Sequence, residues 1–154
     1  MQTLLQLLAG LFDALVVLFM RVSHLLGLSY AELNIVVYCG LVPLSWLALV
    51  VGRQPRYRWL LLAGTLALAG LAWWLRQPGS TGQGFYDYNI RVLEQLGRAT
   101  GLGYVLVSLL LGVLVPAVAA ALLLLVPRRW ALALWVGFGV LLLAYFGLGA
   151  RLVG

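Results

Sequence analysis

Residues able to do chemistry are few in this chain, and each can be weighed in turn. Glu32 is the acid nearest to a long apolar run, with Asn34 and Tyr38 close to it in sequence. A carboxylate at membrane depth could bind a cation or carry a proton, because ionisable groups there cost about 2.5 to 3.5 kcal/mol on insertion scales and usually mark a pathway. At the head of a helix the same acid simply complements the positive end of the helix dipole. His24 is the lone histidine, so two-imidazole haem ligation is impossible, and no His, Cys, Asp or Glu cluster has metal-ligand spacing. His24 reads as an interfacial polar residue, and no cofactor is expected. The serines lack a Gly-x-Ser-x-Gly element or an acid–base pair, so nucleophilic catalysis has no support. There is no lysine and no Walker-type loop, which removes nucleotide hydrolysis. Cys39, the single cysteine, lies in an apolar run and reads as a small hydrophobe; no intrachain disulfide can form.

A second polar group has helical spacing. Asp87, Arg91, Glu94, Gln95 and Arg98 share one face, with Ile90, Leu93, Leu96 and Gly97 elsewhere on the turn. Asp87 with Arg91 and Glu94 with Arg98 are acid-first pairs four apart, each worth about 0.2 to 0.5 kcal/mol to a helix. Such an amphipathic helix suits a membrane surface. The matching face upstream reads Asp13, Val17, Met20, Arg21 and His24, and is greasier. That earlier helix is expected in the interface, with packing against the bundle or a fifth crossing as alternatives. Should Arg21, Arg91 and Arg98 converge with Asp87 and Glu94 beneath a groove, lipid handling would follow.

The elements that position these residues are set by composition. Of 154 residues 64% are apolar and 9% charged, with a mean hydropathy of +1.07, too apolar for a water-soluble globule. Ten arginines against four acids give a net charge of +6, but the arginines stand at the ends of apolar runs and form no nucleic-acid patch. Four charge-free stretches can cross a core of about 30 Å at about 1.5 Å per residue: Leu33 to Gly52, Trp59 to Leu75, Ala99 to Pro127 and Trp130 to Ala150. Arg58 and Arg76 can snorkel from the ends of the second. These runs do not alternate apolar with polar, so helices rather than a barrel satisfy the backbone. The N-terminus lacks a positive n-region and Asp13 interrupts its apolar run, so it is not expected to be a cleaved signal.

Two halves of the chain correspond. Gly27-Leu28-Ser29-Tyr30 matches Gly101-Leu102-Gly103-Tyr104, Asp13 matches Asp87 at the same offset, and each copy runs into a span with one proline, Pro43 or Pro116. A short basic connection follows each, Arg56-Tyr57-Arg58-Trp59 or Arg128-Arg129-Trp130. The expectation is an all-α, polytopic helical membrane protein in a single membrane domain. It has four transmembrane helices in two tandem repeats of about 10–75 and 85–150, each preceded by an amphipathic interfacial helix and joined by a turn-rich linker at 76–84. Pro43 and Pro116 are expected to kink their helices. Small residues at helix-packing spacing, Ala63, Ala67 and Gly70, Ala117 and Ala121, and Gly137 and Ala144, permit close helix contact within or between chains.

The connections at 53–58 and 127–129 hold five arginines and no acid, which puts them in the cytoplasm of a bacterial inner membrane with both termini opposite. Expected partners are membrane lipid and either a second copy or another membrane protein, and no nucleic acid. Sparse chemistry on packing-ready helices favours a non-enzymatic scaffold, accessory or assembly subunit. A small oligomeric channel or transporter near Glu32 and Asn34 comes second, and a lipid-handling protein third.

Overall fold

The computed structural model describes residues 2–77 and 82–153. These fold entirely into helices and turns, with no strand among the described residues. We number six helices: α1 (Gln2–Leu26), α2 (Tyr30–Arg53), α3 (Arg58–Leu75, after a 3₁₀ turn Pro55–Tyr57), α4 (Gly82–Thr100), α5 (Gly103–Leu125) and α6 (Arg128–Val153).

Local chemistry explains the boundaries. Gly27 ends α1 at a φ of 64°, and the Leu28 N–H reaches back to the Ser23 carbonyl at 2.9 Å, the six-to-one bond of a glycine-terminated helix. Ser29 and Glu32 then open α2 with a capping box: the Ser29 N–H donates to Glu32 Oε2 at 2.6 Å and the Glu32 N–H donates to Ser29 Oγ at 3.2 Å. Gly101, at a φ of 72°, marks the corresponding stop after α4.

Neither proline acts alone. A π-helical turn, Val36–Leu41 in α2 and Leu110–Leu114 in α5, precedes each one. At its end the Val42 N–H bonds the Val37 carbonyl and the Val115 N–H bonds the Leu110 carbonyl, five residues back. The wider turn slips the ladder by one residue just where proline offers no N–H, so a π-bulge accommodates each proline.

Among the described residues five helices, not four, are long and apolar enough to cross a membrane: Gln6–Leu26, Tyr30–Arg53, Pro55–Leu75, Gly103–Leu125 and Arg128–Tyr145. The additional one is α1. The expected spans shift at their edges. Leu33 to Gly52 lengthens to Tyr30–Arg53, because the capping box starts the helix earlier. Ala99 to Pro127 loses its beginning, because α4 continues to Thr100 and Gly101 and Gly103 both take positive φ. Of the expected linker, Gly82 to Gly84 open α4, and 78–81 lie outside the described residues.

Packing sorts the helices into two kinds. α2 and α5 meet over Val42–Arg53 and Val115–Leu125, with α6 completing a core of Trp46, Val50, Ala119, Leu123 and Ala131. α3 runs along α2, where Gly40 and Gly64 let the helices close on Leu68 and Leu44. By contrast, α1 packs mainly against the first segments of α2 and α5, Tyr30–Ile35 and Gly103–Leu109, with Phe19 reaching Tyr38 in the next turn of α2. α4 packs against the same two segments and against α6. Both therefore lie across the heads of α2 and α5 and form a roof over the bundle.

At the far end the two connections are tied together. Arg53 donates to the carbonyls of Leu123 and Val126, the latter at 2.6 Å, while Gln54 donates to the Arg128 carbonyl and accepts from Arg56 at 2.9 Å. The guanidinium thus caps the C-terminal carbonyls of α5.

Candidate functional site

Beneath the roof, α1, α2, α4, α5 and α6 enclose a cavity of about 470 Å³. Its residues come from the inward faces of those helices. From α1 these are Phe12, Leu15, Val16 and Phe19, while the opposite face, Asp13, Val17, Met20, Arg21 and His24, is exposed as a unit. From α4 they include Phe85, Tyr86, Asn89 and Leu93, while Asp87, Arg91, Gln95 and Arg98 are exposed. The expected amphipathic faces of both helices are therefore present, and they point away from the cavity.

One end of the cavity is polar. Tyr30, Asn34 and Tyr38 come from the head of α2, Tyr104 and Ser108 from the head of α5, and Tyr86 and Asn89 from α4. Asn34 donates Nδ2–H to the Tyr30 carbonyl at 2.7 Å and Asn89 donates to the Phe85 carbonyl at 2.8 Å. Each is a bond to the preceding turn that holds the carboxamide in place. Ser108 Oγ is buried without a hydrogen-bond partner: Tyr104, one turn earlier, approaches it but not in bonding geometry. Burial first, then the neighbouring Tyr30, Tyr104 and Asp87 and a hydrogen bond with Tyr30, push the Tyr86 phenol up to about 12, so it stays a neutral donor.

Aromatic contacts hold the roof on. Phe12 meets Tyr104 edge-to-face with centroids 6.0 Å apart, and Tyr86 meets Tyr30 in the same manner at 5.9 Å. Phe19 stacks on Tyr38 at 6.1 Å. The other end of the cavity is apolar, formed by Val42, Pro43, Trp46, Pro116, Ala119, Leu122 and Phe138. Its indole donor is already used, because Trp46 Nε1–H bonds the Pro116 carbonyl at 3.2 Å; outside the cavity, Trp135 Nε1–H bonds the Pro43 carbonyl at 3.1 Å. Among the described residues, none that lines the cavity carries a charge.

Among the residues singled out from sequence, Asn34, Tyr38, Pro43 and Pro116 meet at this cavity. Glu32 does not; its carboxylate serves the capping box. Arg21, His24, Asp87, Arg91, Glu94 and Arg98 do not line it either. Glu94 and Arg98 form the expected ion pair at 3.5 Å, whereas Asp87 accepts from Gln83 at 2.8 Å in place of Arg91. The small residues Ala63, Ala67, Gly70, Ala117, Ala121, Gly137 and Ala144 are exposed. A second cleft, of about 490 Å³ between α2 and α3 with Trp135 of α6 at its edge, is lined by apolar side chains and has no group of tyrosines and asparagines like the first.

Sequence reasoning missed Tyr30, Tyr86, Asn89, Tyr104 and Ser108 as site residues. A signal was present: Phe12 and Tyr86, Tyr30 and Tyr104, and Asn34 and Ser108 are all 74 apart, the spacing of Asp13 and Asp87. Compared with protein-family models, curated proteins and solved structures, the chain matches none.

Proposed function

We propose that this chain is a non-enzymatic integral membrane protein that holds an uncharged, amphipathic molecule in the cavity beneath α1 and α4. The observation that carries this reading is the cavity's division into a polar end of tyrosines and asparagines and an apolar end at the prolines, with no charge among the described residues of its walls. Its size falls in the range of about 300 to 1,000 Å³ typical of small-ligand sites. Membrane residence is supported by the five apolar helices and by large side chains such as Leu62, Leu66, Leu125 and Leu143 standing exposed, which water would penalise.

The tandem repeat belongs to the same proposal. The pair Phe12–Tyr104 becomes Tyr30–Tyr86 when each partner is moved by 74 residues, so the first helix of each unit sits on the second helix of the other. The matched π-turns and glycine stops add support. In this arrangement α1 and α4 are interfacial, α2, α3, α5 and α6 cross, and a pseudo-twofold axis runs along the membrane normal. The arginine-rich connections at 53–58 and 127–129 then face the cytoplasm of a bacterial inner membrane. The exposed small-residue faces favour a second reading, a scaffold that packs against itself or another membrane protein.

Native mass spectrometry of the chain released from nanodiscs tests the leading reading. One neutral molecule retained per chain is expected, and lost in Gly112→Leu, whose Cβ would stand 3.0 Å from Tyr38 Oη. A bare chain, or a variable number of annular lipids unaffected by the substitution, would overturn it.

A further inference from the structure

We infer that the occupant is a hydroxyl-bearing neutral lipid, which enters head first from the bilayer through a gap between α5 and α6. This rests on the binding role proposed above and adds the ligand's chemistry and its route.

The head is specified by what the polar end lacks and offers. With no cation among the described residues of the cavity wall, a phosphate or carboxylate headgroup would find no counter-charge there, whereas an uncharged head needs only hydrogen bonds. Asn34 and Asn89 each donate one Nδ2–H to a backbone carbonyl, which leaves each amide with its Oδ1 as an acceptor and a second N–H as a donor. Ser108 Oγ is buried and unpartnered, a group that a bound hydroxyl would satisfy. Acceptors and hydroxyls together call for a ligand group that both donates and accepts, which a lipid alcohol does and a bare ester or ketone does not.

The route follows from how α6 leaves α5. The two helices pack over the Val115–Leu125 half of α5, near their connection, and α6 then crosses to α2 and α4. Trp135 fixes that crossing through its bond to the Pro43 carbonyl. Pairing Trp59 with Trp130 aligns Trp135 with Gly64, so a bulky ring stands where the first unit has the glycine that lets α3 close on α2. Leu111, Val118 and Leu122 of α5, spaced on one stripe, and Leu141 of α6 line the cavity yet are 36%, 47%, 44% and 65% exposed. A wall that is at once cavity lining and outer surface is an opening. About 470 Å³ is too little for a whole membrane lipid, and a side opening lets the chain trail into the bilayer.

The test compares 1-oleoylglycerol with its 3-phosphate, which share one acyl chain and differ by the charged group, on the full chain in nanodiscs by native mass spectrometry. At least tenfold tighter retention of 1-oleoylglycerol is expected. Equal or tighter retention of the phosphate would overturn the ligand class while leaving a binding cavity, and retention of neither would overturn the binding role itself. Val118→Trp, filling the gap, should slow exchange of bound 1-oleoylglycerol for a deuterated copy severalfold, whereas Leu66→Trp on the outer face of α3 should not. Unchanged exchange in Val118→Trp would overturn the route.

Discussion

Replacing Arg53 with methionine removes the clamp between the two connections while keeping a long side chain. Arg53 donates to the Leu123 and Val126 carbonyls, two charge-assisted bonds to otherwise unpaired groups at the end of α5. Hydrogen bonds involving a charged group contribute about 1.5 to 3 kcal/mol each when their partner is lost. Arg53 is half-buried, so water can reach the freed carbonyls and the sum falls toward its lower end. The expected loss is about 3 kcal/mol, including the small helix-dipole contribution. Arg53→Lys should lose about half of that, since an ammonium cannot span both carbonyls as a planar guanidinium does. The assay is unfolding of the purified chain in mixed micelles with increasing denaturing detergent, followed by tryptophan fluorescence. If Arg53→Met stays within about 0.5 kcal/mol of the parent, as an uninvolved surface substitution would, the clamp is not what joins the two connections at this end.

Other perturbations probe the roof and the site. Gly97→Ala places a Cβ 2.8 Å from the Gly103 backbone, where nothing flexible can yield, so destabilisation of about 1 to 3 kcal/mol is expected in the same unfolding assay. Tyr86 has its pKa raised in the folded chain from 10.0 to about 12, so the stability it contributes is full below pH 10 and is lost as pH rises through 12. Tyr86→Phe should flatten the fall in stability over that window, measured as unfolding midpoint against pH. Trp46→Phe removes the bond to the Pro116 carbonyl and should cost about 1 kcal/mol while leaving helix content by circular dichroism unchanged.

Much of the architecture was legible because bilayer-scale physics acts on composition. Charge-free runs of the right length read out α2, α3, α5 and α6, and the charge spacing from Asp87 to Arg98 read out the outward face of α4. The face of α1 was legible only through its match to α4, since Val17 and Met20 hide it from a polarity pattern. Other features depend on contacts across the chain. The Arg53 clamp joins residues about seventy positions apart, and nothing near Arg53 in sequence indicates which carbonyls it meets. The cavity escaped for the same reason: its tyrosines and asparagines look like isolated polar residues until α1 and α4 are laid across the heads of α2 and α5. Glu32 drew notice for its charge, yet Ser29 three residues earlier was the better clue to its use.

Cys39 offers the most direct test of an occupied cavity, because the chain's single thiol lines it. In nanodiscs, alkylation of Cys39 by the uncharged reagent N-ethylmaleimide should slow in proportion as 1-oleoylglycerol is added, and Gly112→Leu should abolish that protection. An alkylation rate indifferent to saturating 1-oleoylglycerol in the unmodified chain would contradict the central claim.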